Sequence, residues 1–180
     1  MAEVSFAKGL EGVIANTTEI CKIDGENGKL YYLGYTIEDL IENSSFEEVV
    51  YLLLYGELPK QDELDKFSES MRRSREVNPA IIEMVRSFPK DSHPMELLQS
   101  AIAYISGYVQ HKIHHSATCN CRNTLHQIAQ ITTVVAAWTR FQKGLDYVPP
   151  RTDLSHGANF LYMVRGEVPD EDEGEIMDKA

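Results

Sequence analysis

Apolar and polar positions alternate with two different periods along this chain. Near the start the period is two: Glu19-Ile20-Cys21-Lys22-Ile23 is followed by Lys29-Leu30-Tyr31-Tyr32-Leu33. The intervening Asp24-Gly25-Glu26-Asn27-Gly28 holds a DG and an NG, whose glycines accept positive φ without steric penalty. This predicts one short β-hairpin.

From Gly34 onward the period is helical. Thr36 is a candidate N-cap with Asp39 three residues on, and Ser45-Phe46-Glu47-Glu48 reads as a capping box. The second helix runs to Gly56, a C′ residue, and Pro59 follows. Leu64, Phe67 and Met71 mark an apolar stripe, and Asn78-Pro79 starts a short helix burying Ile81, Ile82 and Val85. Ser92-His93-Pro94 opens a helix carrying Leu97, Leu98, Ala101, Ile102, Tyr104 and Ile105. Asn120 or Asn123 starts the next, which runs past Trp138 to Gly144. Pro149-Pro150 is a linker, Asp153-Leu154-Ser155 opens a helix ending near Gly166, and Pro169 precedes the last one. No alternation of strand and helix is present, which argues against a doubly wound parallel sheet. The helices near 94–110 and 120–142 are apolar around much of their circumference, a property of helices buried in a core or a subunit interface.

Composition changes this picture little. The chain has 180 residues with 43 % hydrophobic and 25 % charged residues, the profile of a soluble globular domain. No apolar run has the length to span a bilayer, and no signal-peptide h-region precedes the first helix, so cytoplasm is the expected compartment. Three cysteines without such a signal argue against a disulfide framework. A net charge of −11 disfavours nucleic acid as a partner. From Glu167 to Ala180 seven carboxylates face one lysine, which reads as a solvated helix face. There Ile176, Met177 and Ala180 form a stripe with no capping residue behind it. It reads either as a frayed end or as an interruption of a longer protein.

Three places carry candidate chemistry. His156, beside Asn159 on a helix, is a candidate catalytic residue by its type and placement. His93 reads as an N-cap or turn residue. Between His111 and Cys121 stand His111, His114, His115, Cys119 and Cys121, soft ligands of the kind zinc takes. Their spacing matches no strong zinc motif, so a variable loop is expected, and His126 beyond it is open between core and surface.

The stretch from Gly9 to Pro59 goes further. GLEGV, the hairpin, GYTIEDL and SSFEEVVYLLLYGELP occur in the order found at the opening of citrate synthases. SFPKDSHPM, QIAQITTVVAAWTR, LSHGANFLYM and GEVPDEDEGEIMDKA resemble later family segments, and the set is most similar to citrate and 2-methylcitrate synthases of bacteria and archaea. The resemblance implies a mainly α, multi-helical citrate synthase-like large domain, of which residues 1–180 are the N-terminal portion. Residues 1–34 would hold the hairpin and 35–180 the helices, with the small domain and the catalytic region absent.

The family condenses oxaloacetate with acetyl-CoA, or with propionyl-CoA in the 2-methyl branch, using no metal or other cofactor. Its histidines polarise the reacting carbonyls, an aspartate removes the α-proton and arginines hold carboxylates. The first active-site histidine follows the segment matching Met177 to Ala180, so no catalytic, substrate-binding or metal residue is assigned in this chain. Two departures are visible: Leu33 where many relatives have arginine, and Thr132 in place of a common proline, which would straighten the long helix. Three readings result: an N-terminal part of such an enzyme, inactive alone; a complementing subunit of a split enzyme; or a non-enzymatic oligomerisation or regulatory module. The resemblance also implies a homodimer through the helices near 94–110 and 120–142.

Overall fold

A computed structural model describes residues 9, 12–14, 16–108 and 117–180, with the side chains of 117–122 left out of the description. The chain is mainly helical. Strands β1 (Cys21–Asp24), β2 (Lys29–Tyr32) and β3 (Tyr35–Thr36) precede helices α1 (Ile37–Asn43), α2 (Phe46–Tyr55), α3 (Gln61–Arg73) and α4 (Pro79–Ser87). Then come α5 (Pro94–Ser106), α6 (Ala117–Gln142), α7 (His156–Arg165) and α8 (Glu171–Lys179).

The expected hairpin is present, with Cys21 opposite Tyr32 and Asp24 opposite Lys29. A third strand extends it: Tyr31 pairs with Thr36 and Tyr32 with Tyr35. The link between β2 and β3 is Leu33-Gly34, both at positive φ (48° and 92°). Such two-residue connections match the twist of paired strands but are built mostly from Asn, Asp and Gly. A leucine there hides the turn from the usual residue signals.

Helix ends follow their local chemistry. The Thr36 hydroxyl accepts from Asp39 N, Ser45 and Glu48 complete a capping box, and Asn78 caps α4 ahead of Pro79. Gly56 and Gly166 end α2 and α7 in the left-handed conformation. Helix α6 starts at Ala117, earlier than either asparagine, and continues through Thr132. The Thr132 hydroxyl donates back to Ala129 O at 3.1 Å, and no proline interrupts the ladder.

Helix α6 is the central beam. On one side Val134, Ala137, Trp138 and Phe141 pack with α4 and α5 through Ile81, Val85, Leu97, Ala101 and Ile105. On another, Leu125 and Ala129 meet Val50, Phe67 and Met71 of α2 and α3. The non-regular stretch between α6 and α7 is held by two largely buried arginines. Arg140 Nε donates to Asp146 O at 2.5 Å and Nη1 to Val164 O at 3.0 Å. Arg75 Nη1 donates to Arg151 O at 2.8 Å and to Leu154 O at 2.9 Å.

The acidic run divides. Glu171, Asp172 and Glu173 crowd the first turn of α8, where the helix dipole favours negative charge. Asp178 turns inward, and Ile176 is 69 % exposed, so the expected stripe is reduced to Met177 and Ala180.

Replacing Ser45 by alanine removes the acceptor for Glu48 N and the hydroxyl that donates to Glu48 Oε2, while the reciprocal bond from Ser45 N to that carboxylate remains. The expected loss is about 1 kcal/mol of stability, read by urea unfolding at neutral pH. An unchanged midpoint contradicts the cap's contribution.

Candidate functional site

Four elements converge beside the carboxyl end of α8. The amino terminus of α2 brings Phe46, α6 brings Ile131 and Val135, α7 brings His156 and Phe160, and α8 brings Met177 and Asp178. Between them lies a cleft of about 290 Å³ with mostly apolar walls. Ser155 caps α7 by accepting from Ala158 N at 3.2 Å, which puts His156 at the first helical position. The imidazole stacks on Phe46 with ring centroids 4.5 Å apart and planes within 7°. It is 5 % exposed, and its buried Nδ1 has no hydrogen-bond partner among the described residues.

Asp178 ties α8 to α7. Its Oδ1 accepts from Gly157 N at 2.5 Å. A carboxylate at a helix amino terminus is favoured by the free N–H groups and the dipole. The approach requires glycine, because a Cβ on Gly157 would stand 2.7 Å from Asp178 N. Gly174 against Ala158 permits similar closeness further along.

The buried charges form a balanced group. Arg75 is fully buried, and burial, reinforced by Arg72, lowers its guanidinium to about 10 while Glu47 opposes the shift. Burial raises the Glu47 carboxyl, with Asp178 adding to the rise and Arg75 and Arg72 opposing it. Burial, followed by the Arg75 charge, lowers His156 to about 4, with Asp178 acting the other way. His156 is therefore neutral at physiological pH and can donate or accept one hydrogen bond at each nitrogen. The cleft's other polar side chains are Asp178, whose Oδ1 accepts from Gly157 N, and Thr132, whose hydroxyl donates to Ala129 O.

A second cleft, of about 420 Å³, opens between the Arg72–Ile82 region and Tyr147–Thr152. Of its arginines, Arg73 pairs with Glu69 and Arg86 lies 3.6 Å from Glu83 and over the Phe141 ring, while Arg72 keeps a buried Nε with no partner among the described residues. Burial pushes the Tyr147 phenol up to about 12.

The residues singled out in the sequence do not gather into one site. His93 caps α5, its Nδ1 accepting from Met95 N at 3.2 Å. His156 lies in the first cleft, stacked on Phe46 and in the field of Asp178. The His111–Cys121 cluster falls outside the described residues. Among the described residues no group of three His, Cys, Asp or Glu is placed to hold a metal ion. Glu47, Arg75 and Asp178 carried no sequence signal, because each sits in a helix-end context where charged residues are ordinarily solvated.

Comparison with known proteins identifies the architecture. The family described as "Citrate synthase, C-terminal domain" matches residues 9–180. The citrate synthase of Acidithiobacillus ferridurans is 42 % identical over 100 % of this chain and 48 % of its own length. 2-Methylcitrate synthase 2 of Corynebacterium glutamicum is 40 % identical over 91 % of this chain and 43 % of its own. The crystal structure of the Pyrobaculum aerophilum citrate synthase superposes with a TM-score of 0.86 at 38 % identity, covering 96 % of this chain and 45 % of that one. The Thermoplasma acidophilum citrate synthase, solved as a ternary complex with carboxymethyl coenzyme A and oxaloacetate, gives 0.89 at 26 % identity. It covers 97 % of this chain and 46 % of its own. The chain belongs to the citrate synthase family. It spans about half the length of the relatives it matches.

The lowered His156 pKa fixes the sign of a pH effect. The unfolded chain takes up its proton near 6.5 and the folded chain only near 4. The contribution is complete above 6.5 and is lost as pH falls towards 4, reaching about 3 kcal/mol. Urea unfolding of wild type and His156→Phe, compared at neutral pH and at about pH 4.5, should show a shallower acid loss in the variant. Equal losses would contradict the assignment.

Proposed function

We propose that these 180 residues form the amino-terminal part of the large helical domain of a citrate synthase-type enzyme. Its small domain and catalytic groups would be supplied by polypeptide outside them. The observation that carries this reading is the ordered match: 42 % identity across the whole chain against 48 % of a citrate synthase. The matching family is described as a C-terminal domain. The order GLEGV, hairpin, GYTIEDL and HPM argues for the opening part of that unit.

Under this reading the complete enzyme condenses oxaloacetate with acetyl-CoA to give citrate and CoA. The 2-methylcitrate synthase relative makes propionyl-CoA the alternative donor. The reading calls for no metal or organic cofactor and assigns the protein to the cytoplasm. Consistent with this, no helix of the described residues is long and apolar enough to cross a membrane. Neither His156 nor the nearby Arg75 is placed to act on a substrate. His156 is buried and neutral, and Arg75 is fully buried with Nη1 committed to two carbonyls. The 180-residue protein should therefore show no oxaloacetate-dependent release of CoA from acetyl-CoA. Release well above a blank, or tight oxaloacetate binding in calorimetry, overturns the proposal.

The same reading makes the chain one side of a homodimer through α5 and α6. Support comes mainly from α5, where Met95 is 51 % and Tyr104 43 % exposed beside the half-buried Leu98 and Ile102. Burying such a face gains about 25 cal/mol per Å² of apolar area. Much of α6 is already used in this chain's own core. Sedimentation equilibrium at micromolar concentration should show a dimer that Tyr104→Glu shifts towards monomer. A wild-type monomer refutes this interface.

A further inference from the structure

The turn that closes the β1–β2 hairpin carries chemistry that the fold itself does not use. Asn27-Gly28 is the one asparagine–glycine pair in the 180 residues. Asn27 is exposed, and a Cβ built on Gly28 meets nothing within 4 Å. Gly28 takes φ 63°, a conformation open to glycine without steric penalty. Its N–H has no hydrogen-bond partner among the described residues. An unshielded, unbonded amide nitrogen thus stands next in the chain to a carboxamide. The Asn27 side chain is held only within its own turn. Its Nδ2 donates to Asp24 Oδ2 at 2.9 Å, and its main-chain N donates to Asp24 Oδ1 at 3.1 Å. Both bonds are exposed to water, so opening them costs little.

The other asparagines lack this combination. Asn78 precedes Pro79, which has no N–H. Asn159 is fully buried within α7. Asn16, Asn43, Asn120 and Asn123 each precede a residue with a side chain, which crowds the nitrogen that must approach Cγ. Asp24-Gly25 in the same turn is a related pair. There the side-chain bond from Asn27, followed by its main-chain bond, holds the Asp24 carboxyl below its usual range. An ionised carboxylate resists nucleophilic attack, whereas the neutral carboxamide of Asn27 does not.

We propose that Asn27-Gly28 is a site of spontaneous covalent modification whose products loosen the hairpin. Gly28 N attacks Asn27 Cγ. The N–Cγ bond forms, the Cγ–Nδ2 bond breaks, and Nδ2 leaves as ammonia with the proton from Gly28 N. Water then opens the cyclic imide at either carbonyl. Opening at Cγ leaves an aspartate at position 27. Opening at the main-chain carbonyl leaves an isoaspartate, in which the backbone runs through the former side chain. Water is the only co-reactant. Either product replaces the Nδ2 donor by a carboxylate facing that of Asp24, so an attraction that fixes the turn becomes a repulsion. The isoaspartate also lengthens the backbone of a turn that must place Asp24 opposite Lys29. The disturbance reaches α1 through Lys29, which donates to Glu38 at 2.6 Å.

The test ages the 180-residue protein at mildly alkaline pH and follows it by mass spectrometry. Trypsin cuts after Lys22 and Lys29, so Asn27 is read in the peptide 23–29. That peptide should gain a single mass unit and split into aspartate and isoaspartate forms. The second should accept a methyl group from S-adenosylmethionine through an isoaspartate-specific carboxyl methyltransferase. Peptides holding the other asparagines should stay unchanged over the same period. Gly28→Ala should suppress the reaction. Amides of residues 30–32 should exchange faster in the aged fraction than in fresh protein. Asn27→Asp supplies the charge without the longer backbone and should speed exchange by a smaller factor.

A peptide 23–29 that stays intact in the folded protein, while the same peptide free in solution reacts, overturns the proposal. Mass gain without isoaspartate means direct hydrolysis and overturns it too. Unchanged exchange in the aged protein removes the loosening of the hairpin. Gly28→Ala also strains a turn at positive φ, so its effect is measured in the free peptide as well. Reaction there at the wild-type rate refutes attack by the glycine nitrogen.

Discussion

The buried guanidinium of Arg75 is the constraint on which much of the remaining structure depends. It follows the end of α3, is fully buried and holds two carbonyls of the segment leading into α7. Its own carbonyl accepts from the Thr133 hydroxyl of α6 at 2.8 Å. One residue thereby joins three parts of the chain that are far apart in sequence. Even lowered to about 10, its pKa keeps it charged at neutral pH. The desolvation cost of that charge is offset only in part by the nearby Glu47 and the two carbonyl acceptors, since Nε and Nη2 are buried with no partner among the described residues. Removing the guanidinium alone would leave Glu47 buried without its main counter-charge and two carbonyls unmet.

From that arrangement the neighbouring electrostatics follow. The Arg75 charge helps keep His156 neutral, and a neutral imidazole can lie flat on Phe46 in an apolar recess. Asp178, approaching from α8, finds the free amide of Gly157. The surface ion pairs contribute much less, since both partners are substantially exposed. Arg165 and Glu173 nevertheless brace the far ends of α7 and α8 at 2.7 Å, so the two helices are tied at both ends of their contact.

Much of the fold was legible because its signals are local. Thr36, Ser45, Asn78 and His93 each cap a helix through an atom a few residues away, and Gly56 and Gly166 stop helices by a backbone conformation. Sequence patterns carry that chemistry directly. The third strand was not legible, because Leu33 adopts a conformation its residue type rarely takes. Helix α6 begins at Ala117, upstream of Asn120 and Asn123, the two positions the sequence offered as its start. In the cleft, His156 was noticed but its neutrality was not. That depends on burial and on Arg75, eighty-one positions earlier. Asp178 read as one carboxylate in a solvated run, and only the close approach allowed by Gly157 turns it inward.

Helix α6 has a further consequence. Val134, Trp138 and Phe141 close one hydrophobic cluster, while Leu125 and Ala129 close another. The two clusters share no side chain but are built on one helix, so unwinding α6 at either would withdraw the backbone that supports the other. The described helices should thus behave as one cooperative unit, with the slowest amide exchange of the described residues along the inner face of α6. A lineage varying these residues would then meet coupling between two sets of side chains that never touch, carried by the one helix both stand on.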